Sequence, residues 1–185
     1  MLDDDPYRLR GLVAFGTNLV MAHGDTARGR QALSRLEFFV HADLFMSPTA
    51  ELADVVLPVA SAFEVEALRV GFEVSTEAQS LVQLRRPVAP PRGESRSDLR
   101  IMFDLGVRLG LGAAMFDGDV EAAWRHQLAP SGVTLEELRA HPEGIRVPLE
   151  VRHRTHEATG FRTPSGKVEL WSEAMLDIGQ PATGD

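Results

Sequence analysis

The sequence predicts an α/β protein, and three observations carry that prediction. Short apolar runs recur at residues 12–15, 38–40 and 54–57. Helix-start signals stand between them. The distance from Val13 to Val40 is about that of one strand–helix–strand crossover unit. Parallel strands need such crossovers. The expected architecture is therefore a doubly wound, mostly parallel, Rossmann-like sheet, followed by a helical and irregular C-terminal extension.

Each element has its own signal. The apolar run 12–15 ends in Gly16-Thr17-Asn18, a turn signature. Asp25 and Thr26 offer N-caps for a helix that carries Ala32, Leu33 and Leu36 on one face. Residues 38–40 form the second strand. Ser47-Pro48-Thr49, with Glu51 behind it, opens a short helix over 49–53. Residues 54–57 form the third strand, which Pro58 stops.

Residues 59–79 are less regular. Residues 81–84 read as a further strand, and 86–93 as a proline-rich extended connection. Ser97 caps a helix with Met102, Leu105 and Leu109 at i, i+3 and i+7, and Gly110 stops it. After Gly112 the pattern changes. Short helices are expected over 120–128 and 135–140, and a strand over 147–151. Residues 162–170 read as a turn between two extended arms, and 180–185 as a frayed polar end. The chain accordingly divides at 1–112 and 113–185.

Composition excludes several functions. A net charge of −8 argues against a general nucleic-acid binder. With no cysteine, the chain can form no disulfide, thiolate-ligated zinc site, iron–sulfur cluster or cysteine nucleophile of its own. No window approaches the uninterrupted apolar length of a membrane span. The first ten residues lack the apolar core of a secretory signal. Among the six histidines, only His153 and His156 stand close together, in a segment without helical periodicity, and they read as a solvated pair.

Four acidic or turn positions carry candidate chemistry. Gly16, Thr17 and Asn18 follow a strand at the rim where doubly wound sheets open on their ligand crevice. They read either as a ligand-approach loop or as a plain turn. Asp43 follows the second strand, where an acid can bind ribose hydroxyls or the paired N–H donors of guanine. It can equally serve as a local cap. Asp54 reads as structural. Asp98 opens a helix, where the dipole alone favours an acid, and can also face a ligand.

At residues 43–58, DLFMSPTAELADVVLP, the chain resembles the molybdopterin oxidoreductases, the dimethyl-sulfoxide-reductase-like family. Further pieces follow in order. Glu64 lies after the Leu-Pro. Val82-Gln83 leads into the connection PRGESRSD at 91–98. The run GFRTPSGKVELWS at 160–172 is similar to a family signature near the end of this region.

That resemblance implies a fragment covering the third, cofactor-binding domain of a catalytic subunit several times longer, plus the linker toward a final barrel-like domain. The parent would hold molybdenum or tungsten on two molybdopterin guanine dinucleotides. Its partners would be its own remaining domains and electron-transfer subunits. The resemblance also implies cofactor contacts at Gly16, Thr17, Asn18, Ala42, Asp43 and Asp98, with no catalytic residue and no metal ligand in this chain. Leu19 replaces the proline common after the asparagine. Val65 stands where some relatives have a cofactor-contacting lysine, and Lys167 is expected at a domain junction. The alternative is a non-catalytic α/β interaction or assembly module that has lost its cofactor.

Overall fold

The computed structural model describes residues 1–71 and 75–179. The polar end expected at 180–185 lies outside them. The chain divides into two compact units, Met1–Val147 and Pro148–Asp185.

The first unit opens with a parallel sheet of β1 (Gly11–Phe15), β2 (Phe38–Asp43) and β3 (Val55–Pro58), in that order. The register aligns Val13 with Val40 and Val40 with Val55, so the carboxyl ends of the strands share one rim. The first crossover holds α1 (Leu19–Ala22) and α2 (Thr26–Leu33). Asp25 caps α2 by accepting from the Arg28 amide at 3.0 Å. The second crossover is a single 3₁₀ turn, Ala50–Leu52, where a helix over 49–53 was expected. The chain has no room for more. Ala53 is already extended, and the Asp54 amide donates to Phe39 O at 2.8 Å to enter the sheet. The Asp54 carboxylate in turn accepts from the Phe39 amide at 2.7 Å, the structural role its position suggested.

Strand alternation sends Ala14 and Phe39 into one core with Val20 and Leu33. The opposite face carries Val13, Phe38, Val40 and Leu57. There α4 (Asp98–Arg108) contributes Ile101 and Leu105 to the wall of an apolar groove of about 530 Å³. Ser97 caps α4, accepting from the Arg100 amide at 3.2 Å, and Gly110 ends it at a φ of +81°.

The strand expected at 81–84 is present, but in a second sheet. There β4 (Ala67–Arg69), β5 (Leu81–Arg85) and β6 (Ile145–Arg146) are antiparallel, with β5 central. A short helix, α3 (Thr76–Gln79), precedes β5. The strand expected over 147–151 is not formed. The chain pairs two residues earlier, and Pro148 has no amide to offer a ladder.

The helices expected after 112 are α5 (Val120–Leu128) and α6 (Leu135–Ala140). Thr134 and Glu137 form a reciprocal capping box at the start of α6. Trp124, Leu128, Leu135 and Leu138 pack with Val82 and Leu84 into a second core. The change of pattern at 112 thus falls within the first unit. The smaller unit holds α7 (His156–Thr159) and α8 (Glu173–Asp177). Between them the turn at Ser165 is held by its hydroxyl, which donates to Glu169 at 2.8 Å. The arms expected around it are not strands.

Candidate functional site

The carboxyl rim of the parallel sheet is where three segments meet. β1 ends at Phe15, and Gly16 turns away at a φ of +54°, its amide donating to Ala42 O at 2.9 Å. β2 ends at Asp43. β3 ends at Pro58, and the chain beyond it pairs with the residues before α4. Val59 bridges Arg96 in parallel fashion, the Ala60 amide donates to Arg96 O at 2.9 Å, and the Arg96 amide donates to Pro58 O at 3.2 Å. This short pairing carries Ser97 and Asp98 to the same rim.

The result is a crevice of about 260 Å³ that Gly16, Asp43 and Asp98 share with Leu44, Ala60 and Arg85. A Cβ on Gly16 would meet nothing within 4 Å, so the backbone there is open to close approach. Larger hollows lie beside the β4–β5 hairpin, where Arg85 also takes part, and between α4 and α5.

The two carboxylates differ in their surroundings. Asp43 is already engaged. Its Oδ2 meets His41 Nε2 at 3.0 Å and accepts from the Ser47 hydroxyl at 3.3 Å, while Oδ1 accepts from the Leu44 amide at 2.6 Å. Burial opposes its ionisation. The bonds from His41 and from the Leu44 and Phe45 amides outweigh that, and hold its carboxyl below the ordinary aspartate range.

Asp98 runs the other way. Burial in the crevice is the main cause of its raised pKa, and the Asp43 charge adds to it against a bond from its own amide. Among the described residues its carboxylate accepts from no other donor.

The sequence-derived residues are therefore brought together unequally. Gly16, Asp43 and Asp98 line the crevice, whereas Thr17 and Asn18 do not. Asn18 Oδ1 instead accepts from the buried Thr49 hydroxyl at 2.9 Å, and Thr49 Oγ1 accepts from the Val20 amide at 3.0 Å. Ala42 is wholly buried and reaches the rim only through its carbonyl.

Sequence reading missed His41, Thr49 and Arg85. His41 and Asp43 sit at i and i+2 on one strand and so share a face, a signal the alternation rule could have supplied. Among the described residues no group of three or more histidines and acids could hold a metal ion, and no helix is long and apolar enough to cross a membrane.

Comparison with known proteins gives this geometry a context. A family model described as molybdopterin oxidoreductase matches residues 7–108. Acetylene hydratase of Syntrophotalea acetylenica is 28% identical over 97% of this chain and 24% of its own length. The alpha subunit of the F420-dependent formate dehydrogenase of Methanocaldococcus jannaschii is 31% identical over 97% of this chain and 27% of its own. Dimethyl sulfoxide reductase DmsA of Escherichia coli is 28% identical over 88% and 22%. The solved structure of acetylene hydratase from Pelobacter acetylenicus superposes with a TM-score of 0.75 at 26% identity, covering 97% of this chain and 24% of that one. The chain spans about a quarter of the length of the curated relatives it matches.

Proposed function

This chain belongs to the molybdopterin oxidoreductase family, and we propose that its part in such an enzyme is to hold the nucleotide end of one molybdopterin guanine dinucleotide. The parallel sheet is read as one half of a doubly wound, Rossmann-like arrangement within residues 1–112. Residues 113–185 lead toward further domains of a longer catalytic subunit. The whole enzyme would carry molybdenum or tungsten on two such cofactors, and would work with its own remaining domains and with electron-transfer subunits.

The observation that carries this reading is the convergence of Gly16, Asp43 and Asp98, from three separate segments, on one crevice at the strand ends. The crevice fits the guanosine end by its chemistry. Gly16 leaves space for close approach. Asp98 offers an acceptor with no donor of its own from a neighbouring residue, and guanine presents two adjacent N–H donors that a carboxylate can take together. At about 260 Å³ the space lies just under the ~300–1,000 Å³ usual for drug-sized ligands, so it suits one nucleoside rather than a whole cofactor.

The dithiolene-held metal supplies the redox chemistry when bound; the residues here bind and orient. Asp98 accepts from the base. Asp43, tied down by His41, Ser47 and the Leu44 amide, shapes the rim and supplies the charge that keeps Asp98 in need of a donor.

A second reading has one observation in its favour. Asn18 and Asp43 spend their side-chain acceptors on internal bonds, as they would in a module that no longer takes a cofactor. Binding separates the two. Titration of the 185-residue chain with GMP and with AMP, followed by amide chemical shifts, should show a preference for GMP that Asp98→Ala abolishes. Equal response to both nucleotides, or a preference that survives Asp98→Ala, would remove the assignment.

A further inference from the structure

Asp43 and Asp98 give the crevice two negative charges, and a nucleotide adds more at its phosphate. A phosphomonoester carries about −1.5 to −2 near neutrality. Such a ligand can enter with its base toward the acids only if its phosphate finds a cation elsewhere. Among the described residues lining the crevice, Arg85 is the one cation.

Its position follows from its strand. β5 is central in the antiparallel sheet, with Leu84 almost fully buried in the second core and Arg85 paired to Ala67 in register. The backbone beneath Arg85 is therefore fixed, while the side chain is exposed at the strand end. Gln83, two residues earlier, is itself tied down, donating from Nε2 to Pro142 O at 2.9 Å.

Two further facts make Arg85 more than a bystander. Among the described residues its guanidinium forms no ion pair, although two carboxylates line the same crevice. Arg85 also lines the adjoining cleft of about 570 Å³ beside the β4–β5 hairpin, together with Arg69 and Arg86. Arg85 thus borders both hollows.

We infer that Arg85 orients the nucleotide: its guanidinium takes the phosphate, while the base turns toward Asp98. The planar fork of a guanidinium matches two phosphate oxygens at once, and it stays charged at every working pH. Discrimination between the two ends of the ligand then comes from repulsion as much as attraction, because a phosphate placed at the acids would meet like charge. Arg85 acts here as a positioning residue, and the inference rests on the nucleotide reading given above.

The test uses the 185-residue chain with guanosine, GMP and inorganic phosphate, each followed by amide chemical shifts, in the parent chain and in Arg85→Gln and Arg85→Lys. GMP should bind at least several-fold more tightly than guanosine, and that margin should shrink with added salt. Arg85→Gln should remove most of the margin while leaving guanosine binding unchanged, and Arg85→Lys should restore part of it. Inorganic phosphate should shift the Arg85 region and not in Arg85→Gln. If Arg85→Gln binds GMP as the parent chain does, or weakens guanosine and GMP equally, the role assigned to Arg85 is overturned and the nucleotide reading stands. If neither guanosine nor GMP binds the parent chain, the nucleotide reading falls and this inference with it.

Discussion

His41 is wholly buried on β2, and its Nε2 lies 3.0 Å from Oδ2 of Asp43, two residues along the same strand. Among the described residues the other ring nitrogen, Nδ1, has no hydrogen-bond partner. The ring therefore directs its one bond at the carboxylate that closes the strand, and that bond is a main reason Asp43 ionises so readily. His41→Phe keeps the bulk of the ring and removes the donor. A loss of about 1.5–3 kcal/mol is expected at pH 7, the worth of one hydrogen bond to a charged group. His41→Gln should recover part of it. Urea denaturation of the three proteins checks this, and a His41→Phe chain as stable as its parent would show the bond to be idle.

The pH dependence follows from the sign of the Asp43 shift. Its folded pKa lies below its unfolded value of about 3.9, so the folded state binds fewer protons between the two. The stabilisation is fully present above that unfolded value and is lost as pH falls through the lowered one. The gap between parent and His41→Phe should therefore narrow on acidification. Denaturation midpoints measured at pH 7 and pH 3 test it.

Asp98 has the opposite sign. Its folded pKa is raised, so the native state holds its proton over a window above about 3.9, and stability declines as pH rises through that window. Burial is the larger cause and the Asp43 charge a further one. In a carboxyl-carbon NMR titration, Asp98 should titrate above the ordinary aspartate range, and Asp43→Asn should lower its midpoint only part of the way. A full return to the ordinary range would mean that charge, not burial, sets the shift.

Thr49 joins two crossovers with one hydroxyl. It donates to Asn18 Oδ1 and accepts from the Val20 amide, at 0% exposure. Thr49→Val preserves the shape and leaves a buried amide unmatched. A loss of about 1–3 kcal/mol is expected, with faster amide exchange at Val20 than at Phe39. Thr49→Ser should be far milder.

The second core gives a simpler expectation. Leu135 and Leu138 are fully buried against β5. Either one changed to Ala should lose about 2–5 kcal/mol, measured by thermal or chemical unfolding, whereas Leu111→Ala on the exposed surface should lose far less.

The parallel strands were legible because each is a short apolar run followed by a turn residue, and α4, α5 and α6 because each carries a polar cap before its apolar positions. The second sheet was hidden. β4 has three residues and β6 has two, too few for any alternation to register, and their pairing with β5 spans long sequence separations. The same reason explains the misplaced strand at 147–151, where valine and leucine outnumber the two residues that pair. At the site, Asp43 and Asp98 were visible as acids at element ends. Arg85 was not, because nothing in the sequence near 85 says that the end of an antiparallel strand faces the rim of a parallel sheet. Asn18 was visible, but its use was not: only the fold reveals Thr49 as its partner.

The two tryptophans lie in different units. Trp124 is packed into the core around β5, Trp171 is exposed in the smaller unit, and the three-stranded parallel sheet with its crossovers contains neither. The emission of Trp124 will therefore report on the core around β5, against which Leu99, the neighbour of Asp98, also packs. A loosening of the helix that bears Asp98 will thus reach the emission of Trp124, whereas the parallel sheet has no tryptophan of its own to report on it.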